Sequence, residues 1–317
     1  MKLRIGSAEL ELGSEHLRLL EDSSHLLHSA KALQDEIDKK GYLFIRGLHD
    51  RDCVLQARLA VLDYMRQYKD DILDSSYRWQ DGVLNSQCQA GCVPFMEGKN
   101  DITHCKEVLQ VLEGHRVRNF FEKLFGEHAK TFDFKWLRAM YSEGFTGAHV
   151  DKVYMGRGTD KLYTIWTPFG DVPTEMGTLA VVEGSHRLPE FKKFQETYGN
   201  MDVEAETLQG TGWFTEDPME IIKRFGGTWK TANFNAGDVL VFTYRTVHMS
   251  TVNTTHYARI SCDTRWQPAS HAADPRYIGD IKQIENPKFG VHAQTAKADS
   301  DQPYVTIEEK KKEWGFY

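Results

Sequence analysis

Residues 147–156 read GAHVDKVYMG, a run that in isolation has the look of a β-strand. Successive strand side chains point to opposite faces, so His149 and Asp151 would share one face while Val150 and Lys152 take the other. An imidazole and a carboxylate aimed at one point make two-thirds of a metal site. A surface ion pair or a satisfied buried histidine are the plain alternatives, and the rest of the chain has to choose among them.

A third ligand should come from a different strand. In GDVLVFTYRTVHMSTVN (237–253), Gly237 and Asp238 form a turn, 239–243 make an apolar strand, and His248 follows. Two histidines and one carboxylate on one side of a metal leave open positions, the arrangement favoured by non-haem Fe(II) oxygenases. In ARISCDTRW (258–266), strand alternation puts Arg259, Ser261, Asp263 and Arg265 on one face and Ile260, Cys262, Thr264 and Trp266 on the other. The charged face is costly to bury without partners. A cavity that receives a dicarboxylic acid supplies one, because the planar Arg259 fork can grip a carboxylate through two parallel hydrogen bonds. Asp263 and Arg265 read as a structural ion pair with each other. Arg138, on FDFKWLRAMY, reads equally as an anion contact or a surface arginine.

From about residue 131 onward, short β-favouring runs follow one another: TFDFKWLRAMY, AHVDKVY, KLYTIWTPF, GTLAVVEG, TWKTANF, DVLVFTY and HYARISCDTRW. Such spacing predicts an antiparallel sandwich or barrel. Ahead of it the pattern is mainly helical. SSHLLHSAKALQDEIDKKG places Leu26, Ala30, Leu33 and Ile37 on one face with Gly41 as the stop, GYLFIRGL reads as a strand, and residues 51–68 read as a second helix. CKEVLQVLEGHRVRNFFEKLFG carries one helix, or two broken near Gly114. The irregular stretch 74–104 and the insertion 190–228 are expected to cover the cavity mouth, with Tyr77, Trp79, Phe95, Trp213 and Phe214 available for recognition.

With these residues assembled, the sequence resembles the phytanoyl-CoA dioxygenase family of Fe(II)- and 2-oxoglutarate-dependent oxygenases. The resemblance rests on HVD (149–151), EGSHR (183–187), HMSTVNTTHYARISC (248–262) and the opening GYLFIRGLHDRD, and spans roughly residues 40–268. It implies a mainly β fold with flanking helices around a double-stranded β-helix, a cupin-like jelly roll. It also implies Fe(II) on His149, Asp151 and His248, with 2-oxoglutarate as cosubstrate held by Arg259 and Ser250 beside Trp166. The implied reaction consumes O2, hydroxylates a small molecule and releases succinate and CO2. Asp151 stands where related halogenases have a small residue, which favours hydroxylation. The stretch KVYMGRGTDKLYTIWTPFGDVPTEMGTLAVV departs from the acyl-CoA enzymes, so the substrate stays open. The alternative is a β-barrel small-molecule binding protein without catalysis; a cupin-like hydrolase or isomerase would leave Arg259 unexplained.

The bulk composition of the 317-residue chain fits this reading. A net charge of −7 argues against a nucleic-acid partner, and no apolar run approaches the length of a membrane span. One domain is expected over 1–317, with a helical part at 1–130, a β core at 131–268 and a polar tail at 269–317. The five cysteines are expected to be reduced thiols, and MKLRIGSAELELGSEH is no secretory signal, which points to the cytoplasm. RLLEDSSHL (18–26) loosely matches a peroxisomal address, the alternative compartment. Cys88, Cys92, His104 and Cys105 form a weak zinc candidate with poor spacing. Oligomeric state is not legible.

Overall fold

The computed structural model describes residues 1–89, 92–98, 100–285 and 305–317. Its strands are β1 (Lys2–Ile5), β2 (Ala8–Glu11), β3 (Leu17–Leu19), β4 (Tyr42–Ile45), β5 (Ala129–Thr131) and β6 (Trp136–Met140), followed by β7 (Tyr163–Pro168), β8 (Leu179–Val182), β9 (Trp229–Thr231), β10 (Val239–Thr243), β11 (His248–Ser250) and β12 (Arg259–Pro268). Helices α1 (Ala30–Lys40), α2 (Arg51–Tyr68), α3 (Lys106–Leu112) and α4 (His115–Phe125) precede the main strands. Helices α5 (Lys152–Met155), α6 (Lys192–Glu196), α7 (Pro218–Phe225) and α8 (Ile307–Glu313) lie within and after them.

Two open sheets form the jelly-roll core. The larger runs β4-β10-β7-β12-β5, with β6 also paired to β12, and the smaller runs β11-β8-β9-β3. Strand alternation sorts the side chains. On β10, Leu240 and Phe242 point between the sheets, where they meet Trp166, Leu179, Val181 and Phe234, while Val239 and Val241 face α1 and α4. On β12, Ile260, Cys262 and Trp266 pack outward as expected, and Trp266 stacks on Phe121 of α4 at 5.0 Å between ring centroids. The inward set, Arg259 to Arg265, is left facing the cavity.

The helical front has local causes. Ser29 caps α1 by accepting from Ala32 N at 3.2 Å, and the helix stops where Gly41 adopts φ 82°, a conformation that favours glycine. Any Cβ at Gly41 would also meet His186 Nδ1 at 2.6 Å. Leu33 and Ile37 are buried as the period predicts. Gly114 does break the following segment into α3 and α4. Among the described residues no helix is long and apolar enough to cross a membrane.

Several expectations are corrected. AHVDKVY is not a strand: His149 makes a single bridge to His248, then the chain turns at Asp151 into α5, whose first turn closes on the Asp151 carbonyl. TFDFKWLRAMY is two strands, because Phe132 and Phe134 leave the ladder to pack with Trp136 on Tyr277. The front also holds the β1–β2 hairpin. Insertion 190–228 is mainly not a lid: Phe191, Phe194, Ile221 and Phe225 pack on the outer face of the small sheet, and α8 follows them there through Ile307 and Trp314. Cys88 and Cys92 form a disulfide with Cα atoms 5.4 Å apart, not two reduced thiols. Nearby, Cys88 N donates to the Asn85 carbonyl and Cys92 N to the Gln89 carbonyl. The zinc candidate falls with it, since Cys105 is the N-cap of α3 and His104 bonds the Asp133 carbonyl at 3.0 Å. Of the tail, residues 286–304 lie outside the described residues, and its end forms α8, opened by a Thr306–Glu309 capping box.

Candidate functional site

The His149–His248 bridge sets the two imidazoles side by side, with ring centroids 4.1 Å apart. His149 Nδ1 lies 2.8 Å from the Gly147 carbonyl and His248 Nδ1 lies 3.0 Å from the Thr246 carbonyl. Each carbonyl holds the proton on Nδ1, which leaves both Nε2 lone pairs free to act as donors to a metal. They converge on Asp151 Oδ1, at 3.9 Å from His149 Nε2 and 3.8 Å from His248 Nε2. All three side chains are buried, and their ligand atoms lie within 4.8 Å of one another. A turn, not the expected strand, brings Asp151 beside His149.

Electrostatics keep this group ready for a cation. Burial, and then the neighbouring His248, push His149 down to about 3, and burial also lowers His248, so both rings are neutral near pH 7. Burial opposes ionisation of Asp151, yet Arg265 and the two imidazoles hold its carboxyl well below the usual range. Arg265 Nη2 donates to Asp151 Oδ1 at 3.0 Å, and the Thr164 hydroxyl donates to Oδ2. The Arg265 guanidinium in turn lies 4.1 Å over the Trp136 ring. Arg265 is therefore not the partner of Asp263. That carboxylate pairs with Arg138 at 2.6 Å, and Arg138 also reaches Glu97 at 2.6 Å. Neither Arg265 nor Thr164 was singled out as a site residue from the sequence. Alternation on their strands was the available signal, since it aims both inward with Arg259 and Trp166.

Arg259 stands on the same cavity wall, 3% exposed, with Nη2 on Met140 Sδ at 3.3 Å and Nη1 on the Ser261 hydroxyl. Its Nε has no partner and, among the described residues, it has no ion pair. Burial draws its pKa down to about 10. A guanidinium this deep without an anion is expensive to maintain unless a ligand supplies one. Trp166 lies beneath it, 5.8 Å from ring centroid to guanidinium carbon. Ser250 Oγ accepts from Thr146 N at 2.8 Å, and its own O–H has no partner among the described residues. Triad, Arg259, Ser250 and Trp166 all line one cavity of about 560 Å³. Phe95 and Trp213 reach it too. Tyr77 and Trp79 do not, and Phe214 is buried in the core beneath the small sheet.

Comparison with known proteins agrees with this geometry. The family model described as phytanoyl-CoA dioxygenase matches residues 37–261. No curated protein sequence matches the chain. Among solved structures, the epimerase SnoN in complex with Fe3+, alpha ketoglutarate and nogalamycin RO superposes with a TM-score of 0.53 at 19% identity, covering 82% of this chain and 91% of that one. The carbocyclase SnoK from nogalamycin biosynthesis gives 0.51 at 18% identity, covering 78% and 88%. AviO1 from Streptomyces viridochromogenes Tue57 gives 0.52 at 15% identity, covering 78% and 98%. At such identities the likeness speaks for the fold.

Proposed function

The chain belongs to the phytanoyl-CoA dioxygenase family, and from that premise we propose that it is a non-haem Fe(II)- and 2-oxoglutarate-dependent dioxygenase that hydroxylates a small molecule. His149 Nε2, His248 Nε2 and Asp151 Oδ1 would hold the metal, leaving its other positions open. Fe(II) held there would let O2 act as the oxidant, with 2-oxoglutarate as co-reductant leaving as succinate and CO2 and one oxygen atom going to the substrate. The protein's own part is placement. The Gly147 and Thr246 carbonyls fix the imidazole tautomers, and Thr164 and Arg265 fix the carboxylate. Arg259 takes the distal carboxylate of the cosubstrate, helped by the free Ser250 hydroxyl, and Trp166 sets the plane of its guanidinium. On this reading the chain acts as one domain, since the front helices and α8 pack on the same two sheets.

One observation carries the proposal: a buried guanidinium with no ion pair among the described residues opens onto the same cavity as three converging ligand atoms. Mixing the protein anaerobically with Fe(II) and 2-oxoglutarate should give a visible charge-transfer band, and admitting air should release succinate. Arg259→Leu should raise the 2-oxoglutarate concentration needed to develop the band. No band together with no succinate would sink the reading.

A further inference from the structure

We propose that the primary substrate is an uncharged, ring-bearing molecule and not an acyl-coenzyme A or other polyanion; this rests on the cosubstrate reading of Arg259. Charge bookkeeping inside the cavity is the first support. Arg265 is committed to Asp151 at 3.0 Å, Arg138 to Glu97 and Asp263 at 2.6 Å each, and Arg276 to Glu204 at 2.7 Å. No lysine lines the cavity among the described residues. Among the described residues Arg259 is the one lining guanidinium left over, and 2-oxoglutarate would claim it. A divalent metal and a dianionic cosubstrate then cancel each other. A phosphate or second carboxylate entering this space would have to break an existing pair or remain without a counter-ion, and either is costly in a partly desolvated site.

The wall facing that space is aromatic. Tyr68 and Phe95 line the cavity while 61% and 44% exposed, large rings left at its mouth. Phe145 and Trp213, which line it too, lie 6.1 Å apart between centroids. Trp213 reaches far toward the metal-ligand motif because residue 147 is glycine: a Cβ there would meet the indole at 2.6 Å. Aromatic surface therefore runs from the mouth to within two residues of His149. Such faces recognise flat or apolar ring skeletons through stacking and edge contacts. The volume, about 560 Å³, is in the range of sites for drug-sized ligands and exceeds what a five-carbon diacid fills.

A matched pair of probes tests this on the full-length chain loaded with Zn(II). 2-Oxoglutarate binding is titrated first by calorimetry. At saturation, 2-naphthol and naphthalene-2-sulfonate, which share a ring system and differ by a charge, are titrated against tryptophan fluorescence, with decanoyl-coenzyme A alongside. The neutral probe should bind at least about tenfold tighter than the sulfonate. Trp213→Leu should weaken it roughly five- to tenfold, and Phe145→Leu about threefold. Omitting 2-oxoglutarate should let the sulfonate regain affinity by uncovering Arg259. Absence of 2-oxoglutarate binding overturns the cosubstrate reading. If 2-oxoglutarate binds, and the sulfonate or decanoyl-coenzyme A still matches the neutral probe, the substrate class alone is overturned. Indifference of 2-naphthol to both Trp213→Leu and Phe145→Leu overturns it as well.

Discussion

At the floor of the cavity, Thr164, His248 and Arg259 stand on paired strands, β7, β11 and β12, and His149 is bridged to β11. At its rim, Phe95, Glu97 and Trp213 hang on segments with little regular pairing, crossed by isolated bridges such as Gly98–Lys135 and Ala148–Thr215. Ladder register fixes the floor side chains relative to one another, which suits chemistry that depends on ligand geometry. The rim is fixed by ring packing and a few ion pairs, which suits recognition that varies. Changes at the floor should therefore abolish function, while changes at the rim should redirect it.

The largest effect expected is on the floor. His248→Ala or Asp151→Ala removes a donor atom from the only cluster of three metal-binding side chains among the described residues. Metal binding, read by calorimetry or by a Co(II) spectrum, should fall beyond the roughly 100-fold limit typical of changes outside the ligand set. Metal affinity near that of the parent would break the contrast at its root.

Acid should separate the floor from its frame. His149 at the floor is held at about 3 and His49 outside it at about 4, in each case mainly by burial, with His248 and Arg116 respectively adding to it. Unfolded histidines take up a proton near 6.5, so the unfolded chain binds protons first as pH falls. Stability is full above 6.5 and is lost on descending toward these lower values, at about 1.4 kcal/mol per pH unit for each histidine. In denaturant titrations of metal-free protein between pH 6.5 and 4, His49→Gln should remove about one histidine's worth of slope and leave the part due to the floor. An unchanged slope would show that His49 protonates freely in the folded state.

How far the sequence carried these regions follows the same division. His149, Asp151 and His248 stood out by residue type and short spacing and not by the strand expected for them. The inward aim of Arg259 and the outward row Ile260, Cys262 and Trp266 were legible because strand alternation is a local property. The Arg265–Asp151 and Arg138–Asp263 pairs were not. Asp263 and Arg265 are two apart on one face and look like partners, but strand spacing puts each nearer to side chains on other segments, and only the three-strand register of β6, β12 and β7 decides which. The turn at Asp151 was hidden because AHVDKVY satisfies a period of two as well as a turn into a helix. By contrast the β1–β2 hairpin had a readable signal, Gly6-Ser7 between LRI and AELEL, with Gly6 at φ 52°. The Cys88–Cys92 disulfide depends on a loop conformation that no residue pattern specifies.

Arg265 sharpens the contrast from the floor side. It acts through Asp151, so it is a positioning residue, held in place by Trp136. Arg265→Gln should cost about 10- to 100-fold in metal affinity. Arg265→Lys keeps the charge but loses the planar fork and its stacking, and should recover only part of that loss. Full recovery by lysine would mean that charge alone matters. An unchanged affinity in both variants would make the Asp151 contact incidental.

The smallest effect probes the seam between floor and rim, where Gly147 serves both. Its carbonyl orients His149, and its bare Cα lets the Trp213 indole lie against the backbone. In Gly147→Ala the new methyl would meet the indole at 2.6 Å and the Thr215 carbonyl at 3.0 Å, so something must shift. The indole is the freer of the two, because Phe214 N donates to the Ala148 carbonyl and Ala148 N to the Thr215 carbonyl, and these bonds hold the backbone of the two segments in place. Overpacking of this kind costs roughly 1–3 kcal/mol of stability. If rim and floor are separable, the displaced Trp213 should weaken binding of a ring probe several-fold while metal affinity changes less than twofold. If metal affinity falls as far as ring binding, the backbone has moved with the indole. His149 would then have lost its orienting carbonyl, and the two regions would be a single mechanical unit.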